Sequence, residues 1–440
     1  MPTRADQHAA RVTFAVLLDA RPAGRAHRLD PARLSRPRKA APVMRQNLSV
    51  LFILITLTLD AIGFGLIMPV MPDLLREVTG GDLARAALWG GMLTGGFAVM
   101  QFLCGPVIGN LSDRFGRKPV LLLSLAVLSA DYMVLALAGS IWLVFAARLI
   151  TGAASSTYAT AAAYLADIST PEQKAQRFGL IGAAFGVGFV LGPALGGLLA
   201  EFGTRAPFIA AGVVAGLNMV FGALVLRETL RTENRRAFEW RRANPFGAFR
   251  HIARLPGLGR YLAVYFVHEF AFVVYPVIWS YFTIARFGWS PAQVGLSLAY
   301  YGVAFAVVQG GMIRPAIHYL GRWRVMVLGT AASAGSFAVL VVIDSGALAL
   351  ALIPFSSLGG LVIPALRAEL SDNVSASQQG ELQGAMASLR AMGMIAAPFI
   401  FTATFAAFTA EGALLNLPGA AFAISAALSL LGLGLLLRRR

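Results

Sequence analysis

The feature that most restricts this chain is the recurrence of apolar runs long enough to cross a bilayer. Twelve can be counted, at about 48–72, 86–108, 119–138, 142–165, 177–201, 206–226, 258–284, 291–314, 325–343, 347–368, 382–408 and 412–437. A helix of roughly 20 apolar residues matches the hydrocarbon thickness. Within hydrocarbon each backbone N–H and C=O must find a partner inside its own segment, so each run is expected to be a helix. Composition agrees: 57% of the 440 residues are hydrophobic and 13% charged, whereas a soluble domain carries about 25% charged residues. The expected fold class is an all-α membrane protein of twelve transmembrane helices.

A net charge of +16 would suit nucleic acid, but the placement of the arginines assigns it to topology. They crowd the N-terminus, the 227–260 segment, the Arg322/Arg324 turn and the Arg438–Arg440 tail. Basic loops thus follow the even-numbered runs, which puts both termini on the cytoplasmic side of the membrane by the positive-inside rule. The lipid bilayer, rather than nucleic acid, is the expected partner, and the chain is expected to act as a monomer. The one cysteine, Cys104, lies in an apolar helix and reads as a packed thiol. Residues 1–43 are rich in Arg, Ala and Pro, and their apolar run 12–18 is too short for a secretory signal. They are expected to be a disordered extension, with Met44 a second candidate start.

One long loop divides the rest into a six-helix bundle at 44–226, a cytoplasmic linker at 227–256 and a second six-helix bundle at 257–440. The linker's Arg235, Arg236, Glu239, Trp240, Arg241 and Arg242 suit either a helix lying on anionic lipid or an undirected connection. The halves repeat at an offset of 205 residues: Gly116-Arg117 returns as Gly321-Arg322, Gln173 as Gln378, and Gly179, Gly188 and Pro193 as Gly384, Gly393 and Pro398. A parallel repeat of this kind places a substrate path between two pseudo-symmetric bundles, near the midplane.

Asp60 carries the sharpest functional signal. It lies near the middle of the first run, where a carboxylate costs about 2.5–3.5 kcal/mol on insertion scales and is usually kept for a task. Asp131 and Arg148 each stand about eight residues from the Gly139-Ser140 turn, hence at matching depths of about 12 Å. They are expected to pair, as a structural or a proton-coupling unit. In the second-to-third loop, Gly109, Asp113, Arg114, Gly116, Arg117, Lys118 and Pro119 combine a tight turn with a charge latch between helix ends. In the fifth run, Gly188, Gly192, Pro193, Gly196 and Gly197 permit close helix approach and a bend.

The loop spacing resembles the G-x-x-x-D-R-x-G-R-K signature of the major facilitator superfamily, and Gly188–Gly197 resembles the antiporter motif of its drug/proton exchangers. Arg148 with Gly152 is similar to that superfamily's fourth-helix motif, in which an arginine is associated with proton coupling. Together with Leu59–Glu77, Asp131-Tyr132 and Gln378–Gly384, these segments resemble tetracycline/proton antiporters over about residues 48–437. The resemblance implies a proton or cation site at Asp60, polar cavity groups at Gln101 and Gln309, and export of a cationic metal–tetracycline chelate. It also implies a histidine in helix eight and an aspartate in helix nine, where this chain has Phe305 and Ser333.

Helix seven supplies a candidate replacement, His268-Glu269, near the midplane. Glu269 lies one turn beyond Tyr265, the repeat counterpart of Asp60, and a neighbouring histidine can share its proton. Arg390, at similar depth, could instead hold Glu269 in a salt bridge. There is no HExxH, placed GxSxG or GxxxxGK[ST] to suggest an enzyme or a nucleotide-driven pump. No cofactor or resident metal is expected, only a proton gradient as energy source, with any divalent cation arriving on the substrate. The expected function is proton-coupled efflux of a small amphipathic drug, tetracycline foremost, with proton and substrate competing for Asp60. Export of another drug or a metabolite, or proton-coupled uptake, would use the same fold.

Overall fold

The computed structural model describes residues 43–155, 157–240 and 257–438. The predicted extension, through residue 42, and the linker residues 241–256 lie outside them. Eleven helices are long and apolar enough to span a membrane, and no strand occurs among the described residues. Along the chain run α1 (Val43–Ile67), α2 (Met71–Thr79), α3 (Leu83–Phe115), α4 (Arg117–Leu137), α5 (Ile141–Ala154), α6 (Thr157–Ile168), α7 (Pro171–Leu199) and α8 (Ala206–Val225). After the linker follow α9 (Gly259–Phe272), α10 (Val274–Phe287), α11 (Pro291–Val307), α12 (Ile313–Leu320), α13 (Arg322–Val342), α14 (Gly346–Ser357), α15 (Val362–Asp372), α16 (Gln379–Ala407) and α17 (Ala420–Leu437).

Several expected spans are modified. The fourth is split into α5 and α6, neither long enough alone, at the polar stretch around Ser155. Serine and threonine offer the backbone competing hydrogen bonds, which favours a break there. The seventh is interrupted at Val273, between α9 and α10. The last begins at Ala420 rather than near 412, because residues 408–419 form turns. A surface helix does not form over 235–239.

The sequence repeat has structural counterparts. Gly116 and Gly321 turn α3 into α4 and α12 into α13 with φ of 112° and 79°, a region that glycine enters without steric cost. Thr170 with Gln173, and Ser375 with Gln378, close equivalent capping boxes, each satisfying two helix-end donors.

Packing differs between the two ends of the molecule. At the end carrying the turns near Gly80, Gly139, Gly203 and Gly288, one apolar core combines both halves, with Leu66, Leu135 and Phe208 alongside Tyr281, Phe401 and Phe422. At the linker end there are two separate cores. One is built around Phe52, Leu121, Tyr164 and Leu226, the other around Leu262, Tyr265, Leu366 and Leu382. The halves meet chiefly where α3 packs on α16 and α7 on α11. Tyr281 and Thr402 close against Gly90 and Gly91, and Phe399 against Gly95. Ser280 donates to the Met68 carbonyl at 2.8 Å.

The glycine stripe of α7 uses two faces. A Cβ on Gly192 would stand 2.6 Å from the Ile62 carbonyl oxygen and 2.8 Å from Gly65 Cα. Gly188 and Gly196 meet α1 in the same way, at Ala61 and Leu66. Gly197 lies against Pro291 and Ala292, and Pro193 against Gly295, so the neighbouring face grips α11. One helix thus touches both the Asp60-bearing helix and the opposite half. Gly192→Val should therefore overpack the α1–α7 contact, at about 1–3 kcal/mol, and lower the melting temperature of purified protein by several degrees. Gly186→Val, where no atom lies within 4 Å of the new Cβ, should leave it unchanged.

Candidate functional site

The ionisable groups inside the helices fall into three settings. Asp131 of α4 and Arg148 of α5 form an ion pair between Oδ2 and Nη2, with side chains 1% and 12% exposed. The Arg148 guanidinium also lies 6.0 Å from the centre of the Tyr132 ring. The expected partnership is present, and each charge makes the other tolerable. Tyr132 in turn presses on Gly63 of α1, where a Cβ would stand 2.7 Å from its hydroxyl.

Asp60 has no hydrogen bond or ion pair among the described residues. It borders a mainly apolar pocket of about 180 Å³ with Gly63, Leu125, Leu128, Tyr132, Val214 and Asn218. Asn218 accepts from Thr56 Oγ1 at 3.3 Å, while its Nδ2 is buried without a partner. A carboxylate with no hydrogen bond among the described residues and a buried amide donor without a partner therefore border one small space within the first half.

The third setting is a cavity of about 450 Å³ in the second half, and the residues that line it do not include Asp60 or Gln101. Its polar lining is His268, Glu269, Gln309, Arg367 and Arg390, and Phe272, Phe305, Ile363 and Pro364 supply apolar walls. Two irregular turns shape it: a π-helical turn at Val308–Met312 and a 3₁₀ turn at Leu358–Leu361. Non-helical backbone at membrane depth is tolerated where it is enclosed by protein or lines a cavity. Gln309 Nε2 donates to the Gly360 carbonyl at 3.1 Å, joining the two turns. Gly310-Gly311 and Gly359-Gly360 were the sequence signals for these breaks.

Glu269 pairs with Arg390 at 3.5 Å, the alternative that the sequence had left open. His268 is buried, stacks 4.5 Å from Phe272, and leaves Nδ1 without a partner. Phe305 and Gln309 border the cavity. Ser333 is buried in α13 and donates to the Gly329 carbonyl at 2.9 Å. Gln101 is exposed and donates to Ser155 at 3.2 Å. The structure thus separates the predicted groups: Asp60, Asp131 and Arg148 belong to the first half, and His268, Glu269 and Gln309 to the second. The pocket beside Asp60 and the cavity beside Glu269 are lined by different residues.

The signature loop forms a larger latch than its own residues suggested. Arg117 reaches Asp113 at 2.7 Å and Asp167 of α6 at 3.3 Å. Arg322 repeats the latter contact with Asp372, at the same 205-residue offset. Glu228 accepts from the backbone N–H groups of Arg117 and Lys118 at 2.9 and 3.1 Å, an anion at a helix N-terminus. Its carboxylate occupies the space of a Gly116 side chain, which gives that glycine a second reason. Lys118 Nζ donates to the Ala223 carbonyl at 2.8 Å. Arg114 stacks 5.1 Å from Phe115 outside the latch, and nothing approaches Gly109 within 4 Å of a Cβ. The offset could have exposed Asp167 and Asp372; Glu228 left no pattern.

The Asp131–Arg148 pair has a direct stability test. Arg148→Gln alone strands a buried carboxylate and should cost about 3–5 kcal/mol. Adding Asp131→Asn should recover much of that loss in thermal unfolding of the purified protein. Additive losses would show that the two charges are not coupled.

Comparisons with known proteins agree with this architecture. Residues 53–398 match the profile of the Major Facilitator Superfamily. The chain is 40% identical over 364 residues to a class C tetracycline resistance protein of Escherichia coli, covering 83% of this chain and 91% of that protein. It is 38% identical over 359 residues to a class G tetracycline resistance protein of Vibrio anguillarum, covering 82% and 91%. Among solved structures, the human organic anion transporter MFSD10 aligns with a TM-score of 0.65 and 28% identity, over 89% of this chain and 99% of that one.

Proposed function

The chain belongs to the Major Facilitator Superfamily, and from that premise we propose that it exports a small amphipathic molecule in exchange for protons. Tetracycline is the leading candidate, given the identity to tetracycline resistance proteins across most of both chains. Export of an organic anion is the second reading, favoured by the likeness to the human organic anion transporter.

One observation carries the mechanism. Asp60 is an intramembrane acid without a partner among the described residues, and its helix α1 is clasped by Gly188, Gly192 and Gly196 of α7, whose neighbouring face bears on α11. Protonation at Asp60 removes a charge from α1 and alters its preference between two packings against α7. In this reading residues 44–226 and 257–440 are two six-helix bundles, with the split α5–α6 pair counted as the fourth span. The basic linker end faces the cytoplasm, so the shared core seals the outer side and the separate cores leave the inner side open. Substrate enters the open cavity beside Glu269 and Gln309. Proton entry at Asp60 favours one packing and bound substrate the other, and that difference in affinity drives rocking. Coupling passes through helix contacts rather than through one shared carboxylate, with one chain as the transport unit. The Arg117–Asp113–Asp167 latch and Glu228 fix the inner ends of α3, α4 and α6 so that the first bundle moves as a body.

In everted membrane vesicles, Asp60→Asn should reduce proton-driven tetracycline accumulation to the level seen with a protonophore, while the protein still inserts and purifies normally. Undiminished accumulation would remove Asp60 from the mechanism.

A further inference from the structure

The cavity beside Glu269 carries more positive than negative charge, and this bears on what it holds. Its lining includes two arginines, Arg367 and Arg390, against one acid, Glu269. Glu269 engages Arg390 through Nε at 3.5 Å, and the Arg390 side chain is 60% exposed. At that distance and exposure, Glu269 engages the Arg390 guanidinium only in part. Arg367 donates to the Tyr265 hydroxyl at 3.4 Å and lies 6.0 Å from that ring's centre. A phenol hydroxyl does not neutralise a guanidinium.

Tyr265 and Glu269 stand four residues apart on α9 and so share one face, separated by about 6 Å along the axis. Their arginine partners come from α15 and α16. The result is two guanidinium groups lining one cavity, beside the aromatic walls of Phe272 and Phe305. Guanidinium groups present donors in a planar fork that matches delocalised oxyanions. A cationic substrate would meet two positive groups and one already engaged acid.

We propose that Arg367 and Arg390 bind an oxyanion of the transported molecule, a carboxylate or enolate attached to a planar apolar body that packs on Phe272 and Phe305. Glu269 orients Arg390 and competes with the substrate's anionic group for it. The inference takes this cavity to be the substrate site, as in the proposed function, but depends on neither proton coupling nor direction of transport. It replaces the cationic chelate that the sequence resemblance implied by a substrate that offers an anionic face.

The test is equilibrium binding to purified protein in lipid nanodiscs, with empty discs subtracted. Three fluorescent anthracene probes of one shape carry a carboxylate, a carboxamide or a trimethylammonium group. Wild type should bind the carboxylate at least about tenfold more tightly than the other two, the equivalent of 1.4 kcal/mol. Arg367→Gln with Arg390→Gln should abolish that preference, Arg367→Lys with Arg390→Lys should retain part of it, and Glu269→Gln should strengthen carboxylate binding. Equal binding of the three probes, no binding of the carboxylate, or a preference that survives the double glutamine variant would overturn the assignment. None of these outcomes involves export, so a failed exchange mechanism and a failed anion site would be told apart.

Discussion

A charge placed in hydrocarbon must be paired, shielded or used, and the interior of this protein is organised around that constraint. Asp131 answers Arg148, and Glu269 answers Arg390. Asp60 is answered by nothing among the described residues. The surrounding packing keeps it so: Tyr132 fills the space beside Gly63, and the α7 glycines hold α1 by its backbone. Asp60 is the acid to which the proposed function assigns the exchanged proton.

The asymmetry of the two ends turns that local property into a possible motion. A single apolar core at one end makes a common pivot, while the linker end has two cores with no shared members. Glycines bring the halves close along both seams: those of α3 receive Tyr281, Thr402 and Phe399, and Gly197 of α7 meets the backbone of α11. Helix ends in the first half are tied by Arg117, Asp167 and Glu228, and Arg322 with Asp372 does the equivalent in the second. Such ties hold neighbouring helix ends together within each half of the chain.

Much of the fold was legible because it follows from short-range rules. Apolar run length marked the spans, and the offset between Gly116 and Gly321 marked the repeat that the two turns and two capping boxes share. The Asp131–Arg148 pair was readable because both count from one short turn, which fixes their depths. What escaped depends on long-range contact. Glu228 caps α4 from more than a hundred residues away, and no local pattern announces it. Arg367 reads in sequence as an ordinary basic residue near a helix end, and only the 3₁₀ turn at Leu358–Leu361 brings its helix beside the cavity. Position along the helices also could not reveal direction: Asp60 and Glu269 line different pockets.

Linkage between those two spaces is the central claim, and proton release on substrate binding measures it most directly. Purified protein in weakly buffered detergent solution is mixed with tetracycline while a pH-sensitive dye records the solution, beside an Asp60→Asn sample. Release of protons by the wild type and none by the variant is expected, although Asp60 is not among the residues that line the cavity beside Glu269. Equal release from both proteins, or none from either despite binding, would contradict it.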